Sequence, residues 1–350
     1  MLFSRIIGQN KAKRFLKQVM SREKMPHAYL FTGIAGVGKT MMAMALSMAL
    51  NCRVSSGLEG CGRCPACRQM LSGNSPDFFC LAPDGQNVRI EQIRELNRQL
   101  AFAPVARFRV IVIRKAEAMT GEAANAFLKT LEEPPSGNIL ILNTTEPIDL
   151  LPTIVSRCQR LSFQPIPFEE VCGWLMEAKG LPESEARIIG HICQGSPGMA
   201  VEMLETDFKE KRREWISHLL VLHDMTRADA VALAFDLATR AKNRQGTSGD
   251  KENSLMTLME IWKTCYRDFL VISAGGPMRM LVNVDFQEPL KNVAGRYMIQ
   301  DIVECILMVD RAAWEIKRMR NSSLVMENLV LRLKDVLQGV GTEGEKRVGL

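Results

Sequence analysis

The sequence is poor in aromatic residues, which make up 6% of its 350 residues, whereas it contains 21 methionines. A core with few aromatics must be aliphatic and methionine-rich, which favours packed helices over a β-sandwich or a β-barrel. No run of about 18 apolar residues is present, so we expect no membrane-spanning helix. The 45 basic and 39 acidic residues leave a net charge of +6, which permits contact with a polyanion but does not by itself indicate one.

A signal-peptide pattern is also absent ahead of the ten cysteines. We therefore expect a cytoplasmic protein in which the thiols are reduced or bind a metal. Residues 1–22 carry six basic residues and no acidic one, a pattern shared by organelle transit peptides and amphipathic first helices. The motif that follows them favours the first helix of a folded domain.

A phosphate-binding loop follows a buried strand that we predict over residues 28–32. Residues 33–40 fit the pattern G-x-x-x-x-G-K-[ST] between a strand and a helix. Backbone N–H groups of such a loop point at phosphate oxygens, and the next helix adds the positive end of its dipole. The alternative is an ordinary glycine-rich turn. We predict that ATP or ADP binds to the following loop residues: Gly33, Gly36, Val37, Gly38, Lys39 and Thr40.

The acidic residue that a hydrolysing P-loop ATPase needs is missing from its expected place. That residue stands at the end of a neighbouring strand and holds Mg²⁺. The strand predicted over residues 109–113 runs instead into Arg114 and Lys115, whose positive charges repel Mg²⁺. Glu117 is expected on the next helix, and an acid on another strand is the alternative. We therefore predict weak nucleotide binding, a doubtful Mg²⁺ site and no independent ATPase activity.

Four cysteines directly after the phosphate-loop helix have the spacing C-x8-C-x2-C-x2-C. Thiolates separated by two residues can bind one Zn²⁺ together, and four sulfurs complete a closed tetrahedral site that leaves no place for a catalytic water. The alternative is a group of reduced thiols without a metal. We predict a structural zinc site formed by Cys52, Cys61, Cys64 and Cys67.

Strands and helices alternate in the first half of the chain, with further buried strands predicted over residues 109–113 and 138–142 and a helix over 123–131. This alternation indicates an α/β fold with a parallel sheet covered on both faces. After residues 165–167 (Pro-Ile-Pro) only helices are predicted. The charged run 209–214 is expected to form a solvated helix face, and the polar stretch 243–253 is expected to be a loop.

Several motifs together carry a family resemblance. They are Ile-Gly-Gln at 7–9, the phosphate loop, the four cysteines after its helix, Ala-Asn-Ala-Phe-Leu-Lys-Thr-Leu-Glu-Glu-Pro-Pro at 124–135, Asn-Thr-Thr-Glu-Pro at 143–147 and Ser-Arg-Cys at 156–158. In this combination the sequence resembles bacterial clamp-loader subunits of the AAA+ class. The resemblance is detailed over residues 1–165, fair over 166–205 and based on helical character beyond.

This resemblance implies three domains. A RecA-like P-loop domain is expected over residues 1–164, with the zinc module at 52–67, and a small helical lid over 165–207. An α-helical collar, through which subunits associate, is expected over residues 208–338, followed by a flexible tail over 339–350.

Within the family, two departures favour the delta-prime type, which does not hydrolyse ATP. One is the basic pair Arg114 and Lys115, and the other is Gly198, which stands where the ATPase subunits carry a sensor arginine. The alternative is an ATP-hydrolysing subunit of the gamma/tau type. A free-standing P-loop kinase or a zinc-dependent DNA-binding protein is less well matched, because no acceptor site or recognition helix is evident.

The resemblance also implies roles for single residues and partners. Arg157 is expected to be an arginine finger offered in trans to ATP on a neighbouring subunit, and Thr144 the sensor-one residue. The expected partners are the gamma/tau and delta subunits of a hetero-pentamer, which places the sliding clamp on primed DNA during replication; no membrane partner is expected. An enzymatic label would come only from membership of the DNA polymerase III holoenzyme.

Overall fold

The structure, a computed structural model, describes residues 2–21, 25–54, 59–242, 248–318 and 320–336. The tail predicted over 339–350 therefore lies outside the described residues. No helix among the described residues combines the length and the apolar character needed to cross a lipid bilayer.

The chain divides into two compact units. The first comprises Met1–Ala186 and Cys193–Glu202, and the second comprises Arg187–Ile192 and Met203–Leu350. The finer division into P-loop domain, lid and collar stays a prediction.

A five-stranded parallel sheet forms the centre of the first unit, with the strand order β2-β3-β4-β1-β5. The strands are β1 (Ala28–Thr32), β2 (Phe78–Leu81), β3 (Arg109–Ile113), β4 (Asn138–Thr144) and β5 (Gln159–Ser162). The three predicted strands are the three central ones, and every residue in them is buried. The two edge strands escaped prediction because each has four residues and is partly exposed, so neither forms a continuous apolar run.

Helices cover both faces of this sheet, as the alternating pattern predicts. The helices up to residue 204 are α1 (Leu2–Arg5), α2 (Asn10–Ser21), α3 (Lys39–Leu50), α4 (Pro65–Leu71), α5 (Ile90–Leu100), α6 (Gly121–Glu132), α7 (Pro152–Val155), α8 (Phe168–Lys179), α9 (Glu183–Ile192) and α10 (Pro197–Leu204). Residues 187–192 of α9 and the last two residues of α10 belong to the second unit. One hydrophobic core joins α1–α3 to the sheet through residues such as Phe31 and Leu46. The other joins α5 and α6 to the opposite face through Leu30 and Phe127.

Helices joined by short connections, with no strand among its described residues, make up the second unit, as predicted. Its main helices are α11 (Phe208–Val221), α12 (Arg227–Lys242), α13 (Ser248–Ser273), α14 (Gln287–Ala294), α15 (Ile299–Lys317) and α16 (Ser322–Val336). The loop predicted over 243–253 is wrong from Ser248 onward, where α13 begins. Ser248 and Asp250 are polar, but their residue types also favour the first turn of a helix.

The charged run 209–214 lies on α11, but it is not wholly solvated. Arg212 is only 5% exposed. Its guanidinium donates hydrogen bonds to both carboxylate oxygens of Asp285, at 2.7 and 2.8 Å, and to Oδ1 of Asn283 at 2.7 Å. The prediction of a solvated face is therefore wrong at this position, because the partners lie more than 70 residues further along the chain.

Candidate functional site

The phosphate loop joins the end of β1 to the start of α3. Since β1 pairs in parallel with β4 on one side and β5 on the other, the loop lies where these three strands end. The N–H of Gly33 donates to the carbonyl of Thr144 at 3.2 Å. Gly33 has a φ of +145°, and a Cβ atom there would lie 2.3 Å from the carbonyl oxygen of Phe163. The loop can take this course only with glycine at position 33.

Lys39 is buried and turned into the loop. Its ammonium group donates to the carbonyl oxygens of Gly33 and, at 2.8 Å, of Ile34. Burial lowers the pKa of Lys39 to about 8, although the negative charge of Glu117 acts in the opposite direction. The side chain therefore stays mainly protonated at neutral pH and supplies a positive charge for phosphate oxygens.

The end of β4 lies next to the loop and presents two polar side chains. Asn143 donates from Nδ2 to Oγ1 of Thr40 at 3.1 Å. Thr144 is buried, and among the described residues its hydroxyl oxygen has no hydrogen-bond partner. The end of β4 thus contacts the phosphate loop at two points, through the Thr144 carbonyl at Gly33 and through Asn143 at Thr40; a nucleotide-binding role for Thr40 and Thr144 stays a prediction. The contribution of Asn143 was missed, although a polar residue at the end of an apolar strand is a usable signal.

At the end of β3 the structure corrects the sequence-based assignment of Glu117. The basic residues Arg114 and Lys115 are exposed, and α6 begins only at Gly121. Glu117 lies before it, in a single 3₁₀ turn (Ala116–Ala118). Its Oε1 accepts hydrogen bonds from the hydroxyl of Thr145 at 2.9 Å and from the N–H of Thr145 at 3.3 Å. The carboxylate therefore lies over the end of β4 and not on the next helix.

Residues of the predicted lid contact the phosphate loop directly. Ser196 donates from Oγ to the carbonyl of Ala35 at 2.9 Å, and the N–H of Gly198 donates to the carbonyl of Gly36 at 2.9 Å. A Cβ atom on Gly198 would lie 2.7 Å from the Cα of Gly36. A side chain at position 198 is therefore incompatible with this arrangement of loop and lid.

Arg157 follows α7 at the surface of the first unit. Its guanidinium donates to Oε1 of Glu132 at 2.7 Å and to the carbonyl of Thr153 at 3.0 Å. The Arg157 side chain is 37% exposed and that of Glu132 51%, and such exposed ion pairs contribute little to stability. Glu132 belongs to the Leu-Glu-Glu-Pro-Pro segment, so the structure joins two of the motifs that carry the family resemblance.

The four cysteines of the predicted zinc module lie together. Their sulfur atoms are all within 4.8 Å of one another, and Sγ of Cys61 is 3.9 Å from Sγ of Cys67. Tetrahedral zinc with Zn–S bonds of about 2.3 Å requires sulfur–sulfur distances of about 3.8 Å. The N–H of Cys64 points at Sγ of Cys61, at 3.3 Å. The cluster therefore fits a metal ion, and it packs against Met48 of α3.

Comparison with known proteins gives consistent results. The family model described as "DNA polymerase III, delta subunit" matches residues 8–167. The delta' subunit of DNA polymerase III from Bacillus subtilis is 31% identical over 330 residues, which cover 93% of this chain and 96% of that protein. The delta' subunit from Escherichia coli is 34% identical over 184 residues, covering 52% of this chain and 55% of that protein.

Subunits of the other loader type are also similar. The tau subunit from B. subtilis is 27% identical over 355 residues, and the match covers 95% of this chain but 61% of tau. Among solved structures, a gamma subunit-related protein of Thermotoga maritima matches with a TM-score of 0.41 and 18% identity, covering 94% of this chain and 99% of that one.

Proposed function

Because the chain belongs to the delta-prime family of DNA polymerase III subunits, we propose that it is a clamp-loader subunit that supports ATP hydrolysis by a neighbour without hydrolysing ATP itself. The observation that carries this proposal is the similarity to delta' over almost the whole length of both proteins. A role in DNA replication, within a clamp-loader complex, follows from that family. A gamma/tau-type ATPase is the second candidate, since tau is also similar.

The nucleotide site supports the distinction between these two candidates. Lys39 and Thr40 are the lysine and the hydroxyl residue that bind phosphate and Mg²⁺ in P-loop proteins. Arg114 and Lys115 stand where the catalytic acids are needed, and the contact between Gly198 and Gly36 leaves no room for a sensor arginine. We therefore propose binding of ATP or ADP without turnover. Loop residues Gly33, Gly36, Val37 and Gly38 would surround the phosphates, with Thr144 near the γ-phosphate.

Arg157 is proposed as the residue that acts on the neighbouring subunit. A guanidinium supplied in trans neutralises the charge that develops on the γ-phosphate oxygens in the transition state. The exposure of Arg157 and its weak ion pair with Glu132 leave the side chain available for such a contact.

The proposed assembly contains gamma/tau and delta subunits in a hetero-pentamer. The P-loop domain (1–164) and lid (165–207) would form the sites between subunits, and the collar (208–338) would hold the ring together. The sliding clamp and primed DNA would be reached through this complex.

Assembly and ATPase measurements test the proposed function. We expect the purified chain to enter a complex with the tau and delta subunits of its own organism and to show no ATP turnover when alone. Size-exclusion chromatography and a coupled phosphate assay measure both properties. Failure to associate with those subunits would refute the clamp-loader role. Hydrolysis by the isolated chain that disappears in Lys39→Ala would favour the gamma/tau alternative.

The four-cysteine cluster is proposed to hold one structural Zn²⁺. Four thiolates satisfy the ion completely, so its contribution is to the folding of the module and not to chemistry. The buried sulfurs of Cys64 and Cys67 lie in a small apolar cluster with Met48 and Met70, separate from the two cores on the faces of the sheet.

Substitution of one ligand tests the zinc proposal. The wild-type chain is expected to contain about one Zn²⁺, and Cys64→Ser to lose most of it, because three sulfurs bind the ion more weakly than four. Residues 59–71 should become sensitive to protease while the sheet stays folded. Cys80→Ser is the matched control, since Cys80 lies outside the cluster. Mass spectrometry measures the amount of zinc per chain. If the wild-type protein contains no zinc even after it is refolded in the presence of zinc, the proposal is wrong.

A further inference from the structure

The strand-end acid that is missing from β3 has a candidate replacement three residues further on. Lys115 has φ 48° and ψ 58°, the left-handed conformation that a lysine rarely adopts. At this residue the chain turns away from the direction of β3 and enters the 3₁₀ turn that contains Glu117. Backbone conformations of this kind are unfavourable by about 1 kcal/mol or more and are concentrated at functional sites. The turn thus places a carboxylate over the end of β4.

The two oxygens of the Glu117 carboxylate have different surroundings. Oε1 accepts both hydrogen bonds from Thr145. Oε2 is buried, and no hydrogen-bond partner for it exists among the described residues. A buried carboxylate oxygen without a partner is unfavourable, because it has lost water and gained nothing in return. Such an oxygen is suited to a ligand that brings positive charge.

Glu117 lies beside the phosphate loop. Thr145, which donates to Glu117, follows Thr144, whose carbonyl accepts from the N–H of Gly33 in the loop. The charge of Glu117 also opposes the lowering of the Lys39 pKa by burial. We propose that Glu117 replaces the missing strand-end acid and holds, through Oε2, the divalent cation of a nucleoside triphosphate bound at the loop. This inference rests on the proposed nucleotide binding.

The chemistry of the donor set fits Mg²⁺. This ion prefers oxygen ligands, keeps several of its waters and is usually bound by one or two carboxylates together with substrate phosphates. Glu117 would supply one carboxylate and Thr40 one hydroxyl, and waters and phosphate oxygens would complete the coordination of the ion. A second acid, which would activate the attacking water, is absent because Lys115 occupies that place. Glu117 therefore confers cation-dependent binding without hydrolysis, and nucleotide binding should be tightened by Mg²⁺.

The test uses Glu117→Gln in the purified full-length chain. A glutamine retains an oxygen that can accept from Thr145, so the fold is kept while the negative charge is removed. Affinity for a ribose-labelled fluorescent ATP is measured with Mg²⁺ and with excess EDTA. Glu177→Gln, an exposed acid on α8, is the matched control for the loss of one charge. Thermal melting of all three proteins checks that they are folded.

For the wild type and Glu177→Gln we expect Mg²⁺ to increase the affinity for the labelled ATP by about tenfold or more. Removing a group that supports a metal typically costs about 10–100-fold in affinity. For Glu117→Gln we expect less than a twofold effect of Mg²⁺, and binding in EDTA at least as tight as that of the wild type. The same Mg²⁺ dependence in all three proteins would overturn the proposal, as would a wild type insensitive to Mg²⁺. A wild type that binds no nucleotide would also overturn it, whereas the clamp-loader proposal would still stand or fall with the assembly experiment.

Discussion

Arg157→Ala is expected to lower ATP hydrolysis at one site of the assembled complex by roughly 10³–10⁵-fold, the contribution of arginines supplied in trans at comparable sites. Sites that do not face this subunit should keep their activity. Total hydrolysis is therefore expected to fall only in part, while clamp loading by the proposed complex is expected to fall further. The stability of the isolated chain should change little, because the ion pair with Glu132 is exposed.

Two comparisons make the Arg157 experiment specific. Arg160→Ala removes another exposed arginine from β5 and should leave hydrolysis and loading unchanged. Arg157→Lys keeps the charge but loses the planar, forked donor geometry, so it should recover only a small part of the rate. Steady-state phosphate release and a clamp-loading assay on reconstituted complexes measure the effects. Complexes with Arg157→Ala that hydrolyse ATP and load clamps normally would remove Arg157 from the mechanism.

Arg212→Ala is expected to destabilise the helical second unit by about 3 kcal/mol. Removing one partner of a buried ion pair typically costs about 3–5 kcal/mol, and the lower end applies because Asp285 is 40% exposed. The substitution also removes the hydrogen bond that Oδ1 of Asn283 accepts from Arg212. Asn283 donates in turn to Asp268 at 2.8 Å, and neither Asn283 nor Asp268 is exposed to solvent.

The acid dependence of stability should change in the same variant. Burial alone would raise the pKa of Asp285, but the hydrogen bonds and charge of Arg212 outweigh it and hold the pKa below its ordinary value of 3.8. The pair therefore contributes its full stability above about pH 4 and loses it as the pH falls through the lowered value. Arg212→Ala should lose this part of the acid dependence.

Urea unfolding followed by tryptophan fluorescence measures both effects, since three of the four tryptophans lie in residues 203–350. Arg332→Ala is the control, because Arg332 is exposed on α16 and its loss should change the free energy of unfolding by less than about 0.5 kcal/mol. Equal unfolding midpoints for the two variants would show that the buried pair does not stabilise this unit.

Local patterns in the sequence were sufficient for part of the fold. The central strands β1, β3 and β4 are continuous apolar runs, and the phosphate loop and cysteine module are recognised from spacing over fewer than 20 residues. The edge strands were missed because strands with exposed residues resemble loops in a single sequence. Helices were expected after residues 165–167, but the loop expected over 243–253 is wrong from Ser248, where polar residues begin α13.

The long-range contacts of the site and of the second unit were predicted less well, because they join residues far apart in the chain. Asn143 meets Thr40 across 103 residues, and Arg212 meets Asp285 across 73. Glu117 was assigned to the wrong element because no sequence pattern predicts the left-handed backbone conformation of Lys115. These contacts depend on how strands and turns are placed in three dimensions, which propensity and periodicity do not specify.

The backbone contact between Gly36 and Gly198 limits the substitutions that these two positions can accept. A Cβ atom at position 36 would lie 2.3 Å from Oγ of Ser196, and one at position 198 would lie 2.7 Å from the Cα of Gly36. An arginine at position 198 therefore requires the phosphate loop and the predicted lid to separate first. Hydrolysis would also require an acidic residue at position 114 or 115 to hold Mg²⁺. If the chain does not hydrolyse ATP, as proposed, a gain of hydrolysis would need several coordinated substitutions, and the arginine at position 198 alone is unfavourable. The two facing glycines would therefore keep such a chain from hydrolysing ATP even while its phosphate loop stays intact.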